Sequence, residues 1–209
     1  TKGGPAKVAV IAAGLLGSIN GSAIANVVTT GSVTIPLMKK IGYSKEFAGA
    51  VSSTASVGGQ LLPPIMGAAA FIMAETLGIK YSEIVVAAAI PALIYYLGII
   101  FQIQLRASKD KLDGMPKDQL PKVKETLKRY WHLTVPILFL VYMLFFSGYT
   151  VIKGAFLTIL LTIIIAQLKK ETRMSLKDIE AAFVASAKST VSVAIACACV
   201  GIVIGVSSL

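Results

Sequence analysis

The sequence predicts an all-α polytopic membrane protein, built from a re-entrant helical hairpin, a broken transmembrane helix and about four further spans. Three observations carry that prediction. The 209 residues are 56% hydrophobic and only 14% charged, with a mean hydropathy of +0.79, outside the usual range of soluble domains. The apolar runs have helical lengths, but within residues 17–64 they are interrupted twice by small polar residues. The basic residues are gathered into a few connecting segments.

Residues 1–45 form the predicted hairpin. Residues 8–16 are apolar for about nine residues, half of what is needed to cross a hydrocarbon core of about 30 Å. The first break follows, Gly17-Ser18-Ile19-Asn20-Gly21-Ser22, and then a second short apolar piece over residues 23–38, expected to end near Pro36. Residues 46–75 are long enough to span, but their centre carries Ser52, Ser53, Thr54, Ser56, Gly58, Gly59 and Gln60 before Pro63 and Pro64. Two prolines remove two amide donors and disfavour helix in the residue before them, which puts Leu61 and Leu62 at an unwound point. Residues 76–105 hold the rest of a polar loop (75–83) and a plain spanning helix (84–105) with Pro91 inside it. Residues 106–132 are a basic loop. Residues 133–168 read as two spans joined by the turn Ser147-Gly148-Tyr149-Thr150. Residues 169–209 comprise a basic cluster, a surface-lying or helix-starting segment (174–188) and a final apolar run.

Charge tests this arrangement, because membrane orientation follows Lys and Arg in short loops. Seventeen of the twenty lie within residues 2–45, 106–129 and 169–177, all placed on one side; Lys80 and Lys153 fall on the other, and Lys188 lies near an entry point. That asymmetry orients the open end of the hairpin to the cytoplasm. The net charge of +10 is thereby read as an orientation signal, with attraction to lipid headgroups secondary; nucleic-acid binding would need a basic water-facing groove.

The breaks are the candidate site. Hydrocarbon offers no water to the backbone, so unwound segments at that depth must be buried in protein or line a cavity, and interrupted helices point to a transporter's binding site. Unwound carbonyls are hard oxygen ligands suited to sodium. Ser18, Asn20, Ser22 and Asn26 add side-chain oxygens at the first break, and carbonyls near Gly58, Gly59, Leu62 and Pro63 come from the second. Helix N-termini beyond the breaks carry partial positive charge and favour a carboxylate. Plainer readings stand beside these. Asn20 and Asn26 can simply bond across helices, Thr29, Thr30 and Thr34 can bond back to their own helix, and Gly201 and Gly205 suit close helix contact. Glu75 is placed at the interface in preference to a proton relay, and His132, beside Tyr130 and Trp131, as an interfacial anchor. Cys197 and Cys199, two apart on a helix, face different directions and are packing residues. No phosphate loop, HExxH, Cys/His array or acid pair within a span occurs in the sequence, so no enzyme is expected.

GSINGSAIANVVTTGSVTIPLMKKIGYSKEFAGAV followed by SVGGQLLPPIMGAAAFIMAE resembles the large membrane subunit of tripartite ATP-independent periplasmic (TRAP) transporters, in particular the fused-permease type. The resemblance extends more weakly through WHLTVPILFLVYMLFFSGYT and ACACVGIVIGVSSL. It implies an elevator-type secondary transporter with inverted repeats, driven by sodium, that takes organic acids such as dicarboxylates from a periplasmic substrate-binding protein. It also implies that the first hairpin and the broken helix form one sodium site and half of the substrate cleft. Carried onto this sequence, the substrate-binding residues are Asn20, Gly21, Ser22, Asn26, Gly59 and Gln60. The sodium ligands are Ser18, Asn20, Ser22, Gly59, Leu62 and Pro63, partly through backbone carbonyls. No cofactor other than the coupling ion is implied. The family's second hairpin is not among these residues, so the sequence is expected to be part of a longer permease that does not transport alone. The alternatives are another elevator-type ion-coupled carrier or channel, and a packing or scaffold subunit that does not transport.

Overall fold

The structure, a computed structural model, describes residues 3–112, 130–169 and 171–207. Every regular element among them is helical, and they fall into two compact units, residues 1–122 and 123–209.

The first unit is built on α1 (Gly4–Asn20) and α2 (Ala23–Ile41), which pack along each other and are joined by only Gly21 and Ser22. Helix α1 closes on Gly21, whose φ of 63° lies in the left-handed region that glycine adopts freely. Ser22 begins α2 as its N-cap, its hydroxyl accepting from the Ala25 amide at 3.3 Å. The interruption is thus narrower than the sequence suggests, since residues 17–20 stay helical. Helix α1, at seventeen residues, is about 25 Å long and outruns its apolar stretch. Nor does Pro36 end α2. It sits inside the helix on an exposed face, and the chain turns at Gly42. Thr29, Thr30 and Thr34 each donate to the carbonyl four residues back, at 2.8, 2.7 and 2.9 Å.

Helix α3 (Lys45–Gly58), capped by the Ser44 hydroxyl, packs on both α1 and α2. Residues 52–58, expected in the second break, remain helical; the unwound stretch is 59–67. Helix α4 (Ala68–Leu77) follows, and after a turn at Gly78 the long helix α5 (Tyr81–Lys109) runs back along α1, α3 and α4. The expected polar loop over 75–83 shrinks to residues 78–80, and Glu75 is exposed in the last turn of α4. The core of the unit is Ala6, Ala9, Val10, Ala13, Met38, Ala48, Val51, Ala55, Tyr96 and Ile103. Small residues dominate it, so the helices approach closely. A Cβ built on Gly17 would stand 2.7 Å from the Gly59 Cα, and one on Gly31 2.9 Å from the Ser52 hydroxyl.

One end of this unit is basic. A Cβ on Gly3 would meet the Tyr43 hydroxyl and Ala107, the Lys7 ammonium donates to Gln104, and Arg106 lies over the Phe47 ring at 5.6 Å. The start of α1, the α2–α3 turn and the end of α5 therefore share an end, with Lys7, Lys39, Lys40, Lys45, Arg106 and Lys109. Lys80 precedes α5 at its opposite terminus. Burial pushes the Tyr43 phenol above its usual range, and nearby Asp110 adds to the shift. The Arg106–Asp110 pair is solvent-exposed and contributes little. Along α5, Val86, Ile90, Ile94, Leu97 and Phe101 are more than half exposed, an apolar stripe too extensive to face water. Among the described residues, α5 is the one helix long and apolar enough to cross a membrane.

In the second unit a 3-10 turn (Trp131–Leu133) leads into α6 (Thr134–Phe145), which packs against α7 (Val151–Ala166) across the turn at Gly148. His132 is buried and its neighbour Trp131 exposed, and the His132 Nε2 lies 3.2 Å from the Thr172 hydroxyl. Its burial and this contact tie the start of the unit to Thr172. Helix α8 (Leu176–Ser207) joins most of the 174–188 segment and the final apolar run into one element. Nothing lies within 4 Å of a Cβ built on Gly201, so no close contact forms there among the described residues. Cys197 and Cys199 are free thiols. Most of the basic loop, residues 113–129, lies outside the described residues.

The start of α8 is held by Asp178. Its carboxylate accepts from the Ser175 amide and hydroxyl at 2.8 and 2.7 Å, and these bonds, the amide's first, hold it below the usual carboxylate range. A lowered folded pKa means that the cap's contribution is present above the ordinary value near 4 and is lost as pH falls through the folded value. A carbon-13 NMR titration should give Asp178 a lower pKa in the protein than in an unstructured peptide; an equal or higher value contradicts the cap. The glycine contact predicts a second outcome. Gly59→Ala should cost about 1–3 kcal/mol through overpacking. Gly98→Ala, with nothing within 4 Å, should gain up to about 1 kcal/mol. Thermal melting in detergent separates them, and equal midpoints would refute the crossing.

Candidate functional site: two breaks that meet

Four helix ends converge on one spot. Helix α1 ends at Gly21 and α3 at Gly59, while α2 starts after Ser22 and α4 after Gly67. The two breaks touch through backbone. Gly17 and Gly59 pack so closely that a Cβ on Gly59 would stand 2.5 Å from the Gly17 Cα, and a Cβ on Gly21 would stand 2.4 Å from the Met66 carbonyl oxygen. Hydrogen bonds lock the contact. The Ile65 amide donates to the Ser18 carbonyl at 3.1 Å, and the Gln60 side-chain amide donates to the Gly21 carbonyl at 3.3 Å. Within the second break the Gly67 amide returns to the Gln60 carbonyl at 2.8 Å.

The expected residues divide by what their oxygens do. Ser18 is buried, but its hydroxyl donates to the Leu15 carbonyl of its own helix at 2.9 Å. Asn20 is exposed, and its Oδ1 accepts from the Ser22 amide at 3.0 Å; the Ser22 hydroxyl caps α2. Side-chain oxygens at 18, 20 and 22 thus serve the hairpin tip. Gly59 is buried at the crossing, Gln60 is exposed and bridges the two breaks, and Leu62 and Pro63 are half-buried in the unwound stretch.

Asn26 differs from all of these. It is fully buried, and its Nδ2 donates to the Ala13 carbonyl at 2.7 Å, tying α2 to α1. Nδ2 also lies 2.6 Å from where a Gly17 Cβ would be, so the side chain reaches the crossing. Its Oδ1 is buried with no hydrogen-bond partner among the described residues. An orphaned buried amide oxygen costs about 1–3 kcal/mol, and it is a hard donor of the kind that alkali cations take. Ser52 and Ser56, one turn apart on the face of α3 that meets α2, also carry buried hydroxyls without partners. Neither serine stands out by residue type within a run of serines and threonines, and only burial marks them. Charge is absent from the site. Among the described residues no three His, Cys, Asp or Glu side chains come together. What electrostatics there is comes from helix ends: the C-termini of α1 and α3 present partial negative charge, and the N-termini of α2 and α4 partial positive charge. A groove of about 340 Å³ between α3 and α5, lined by Phe47, Val51, Thr54, Tyr95, Gln102 and Ile103, contains none of these residues.

Two helix breaks that meet through backbone inside an apolar, all-helical unit are a feature of integral membrane transporter components. The model of the family described as "Tripartite ATP-independent periplasmic transporter, DctM component" matches residues 1–209, and the chain belongs to that family of integral membrane transporter components. It is 32% identical over 127 residues to a C4-dicarboxylate TRAP transporter large permease protein of Vibrio cholerae, covering 61% of this chain and 27% of the relative. Over 140 residues it is 28% identical to the protein of the same description from Pseudomonas aeruginosa, covering 66% and 32%. An uncharacterized protein of Sinorhizobium fredii is 30% identical over 100 residues, covering 48% and 23%. The chain spans about a third or less of the length of these relatives.

Asn26→Ala in the full-length permease should cost about 1–3 kcal/mol, from loss of the bond to Ala13. Ser56→Ala should cost nothing or stabilise, because it removes a buried hydroxyl with no partner among the described residues. Denaturation of purified variants in ion-free buffer checks both, and a loss at Ser56 equal to that at Asn26 would mean that its hydroxyl has a partner.

Proposed function

We propose that the chain is the part of a sodium-coupled permease that holds one sodium ion and one wall of the substrate cleft. In this reading α1 and α2 enter and leave the membrane by the basic face as a re-entrant hairpin, and α3 to α4 cross it as a broken helix. The substrate is an organic acid, a C4-dicarboxylate in the first instance, as the descriptions of the relatives suggest. A periplasmic substrate-binding protein delivers it to the cytoplasmic membrane of a prokaryote, and the remaining parts of the permease, a second hairpin included, complete the site.

The observation that carries this reading is the buried, unpartnered Oδ1 of Asn26 beside the Gly17–Gly59 crossing. Sodium needs about five or six hard oxygens and tolerates carbonyl donors. Asn26 supplies one from the first break, and carbonyls of Gly59, Leu62 and Pro63 are the ligands proposed from the second. Ser18, Asn20 and Ser22 hold the tip in shape, with Asn20 and Ser22 near enough to its exposed side to meet substrate. The helix N-termini of α2 and α4, with Gly21 and Gln60 between them, favour a carboxylate without a buried lysine or arginine. Binding the cation first makes that spot more positive, which couples the two ligands with no ionisable residue.

Proteoliposomes containing the full-length permease and supplied with its binding protein should accumulate labelled C4-dicarboxylate only under an inward sodium gradient. Asn26→Ala should raise the sodium half-saturation tenfold or more, whereas Ser18→Ala should change it less than threefold. Uptake that ignores sodium, or sodium dependence untouched by Asn26→Ala, contradicts the reading.

A further inference from the structure

Helix α5 carries three tyrosines, and each donates its hydroxyl to a backbone carbonyl of the broken helix. Tyr96 donates to the Ala55 carbonyl at 2.8 Å, Tyr95 to the Thr54 carbonyl at 2.8 Å, and Tyr81 to the Ile65 carbonyl. The carbonyls they choose matter. In a continuing helix the Ala55 carbonyl would accept from the Gly59 amide, four residues on. Here the Gly59 amide turns to Ser56 at 3.3 Å, the next amides also bond three residues back, and Gln60 reaches Val57 at 3.0 Å. Tightening of this kind strands a carbonyl at the helix end, and the Tyr96 hydroxyl takes it. The Ile65 carbonyl lies inside the unwound stretch, where no helical amide serves it, and the Tyr81 hydroxyl takes that one.

Both side chains are fixed. Tyr96 is 9% exposed and Tyr81 6%. The Tyr96 ring fits a notch between helices: Cβ atoms on Gly14 of α1 and Gly58 of α3 would lie 3.0 and 3.1 Å from its Cζ. Tyr81 stacks on Phe71 of α4, ring centroids 4.5 Å apart and 9° from parallel. Positions 81 and 96 of one continuous helix are about 22 Å apart along its axis and about 60° apart around it, so one rigid rod grips the break from the α3 side and from within. Tyr95 is the internal contrast. Its bond is solvent-exposed, and the Thr54 carbonyl it meets lies a residue further inside α3.

We propose that Tyr96 and Tyr81 are positioning residues that hold the second break in its unwound geometry, and that α5 thereby sets the affinity of the crossing for its coupling ion. Neither hydroxyl touches ion or substrate; both act through the carbonyls that they hold. The effect on the ion rests on the sodium reading above, whereas the effect on the break does not.

The test uses the full-length permease with Tyr96→Phe, Tyr81→Phe and Tyr95→Phe, each of which keeps the ring. Hydrogen exchange by mass spectrometry in lipid nanodiscs reads the break directly, and uptake into proteoliposomes reads the ion. Tyr96→Phe and Tyr81→Phe should each speed exchange of amides 59–67 at least about threefold while leaving α1 and α2 as protected as before. Each should raise the sodium half-saturation about 3- to 10-fold, the size of one buried hydrogen bond, with substrate half-saturation at saturating sodium within twofold of wild type. Tyr95→Phe should leave both within twofold. The proposal is overturned if exchange at 59–67 is unchanged. It is also overturned if exchange rises throughout the unit together with a fall in melting temperature, or if a sodium-dependent wild type and its two variants share one half-saturation. Should wild-type uptake ignore sodium, the sodium reading fails, and the local exchange alone decides whether the tyrosines hold the break.

Discussion

Contact between Gly17 and Gly59 is the constraint on which the rest of the first unit depends. With any side chain at either position the last turn of α1 could not rest on the end of α3, because a Cβ would fall 2.5–2.7 Å from the facing Cα. That contact brings the two breaks together, lets Ile65 reach the Ser18 carbonyl and lets Gln60 reach Gly21. It also places Asn26 deep enough to lose all water. Small residues elsewhere serve the same end: Gly14 and Gly58 admit the Tyr96 ring, and Gly31 admits Ser52. A membrane protein gains little from burying apolar surface against apolar surface, since lipid is equally apolar. Close backbone approach and buried polar contacts therefore carry a larger share of the specificity.

The site does its electrostatic work with partial charges. Two helix C-termini and two N-termini meet, so the spot offers carbonyl oxygens to a cation and amide dipoles to an anion within a few ångströms. A buried lysine or carboxylate would bind one partner tightly and impose a large desolvation cost whenever that partner left. Dipoles and amide oxygens cost less when no ligand is bound, which agrees with the proposed reading of the crossing as a site that loads and releases its ligands. The long helix α5 also braces the second break. Its outer stripe is apolar and exposed, and its inner tyrosines attend to carbonyls that the break has left without amides.

Much of this was legible in the residues. Glycine, serine and asparagine inside apolar runs marked both interruptions, because bilayer hydrocarbon tolerates unwound backbone only where protein buries it. Their extent was harder to read. Ser18 to Asn20 and Ser52 to Ser56 are helical, since serine and threonine within a helix can bond back to their own carbonyls or turn their hydroxyls to neighbours, which composition does not distinguish from unwinding. Pro36 misled for a related reason: a proline on the exposed face of α2 forgoes one hydrogen bond and leaves the helix running to Ile41. The role of Asn26 depended on which asparagine the tertiary contact would bury. Asn20 and Asn26 look alike in sequence; the turn at Gly21 sends one outward and the other under α1. The tyrosines of α5 carried no local signal, because a hydroxyl that caps a carbonyl 16 or 41 residues away is set by packing alone.

The most direct measurement is a cryo-electron microscopy structure of the full-length permease in sodium, paired with one in choline. The account predicts a density peak between Asn26 Oδ1 and the carbonyls of residues 59–63 that is present in sodium and absent in choline, with Gly17 and Gly59 in contact in both. A protein donor bonded to Asn26 Oδ1, or a sodium peak elsewhere with none at the crossing, would contradict it.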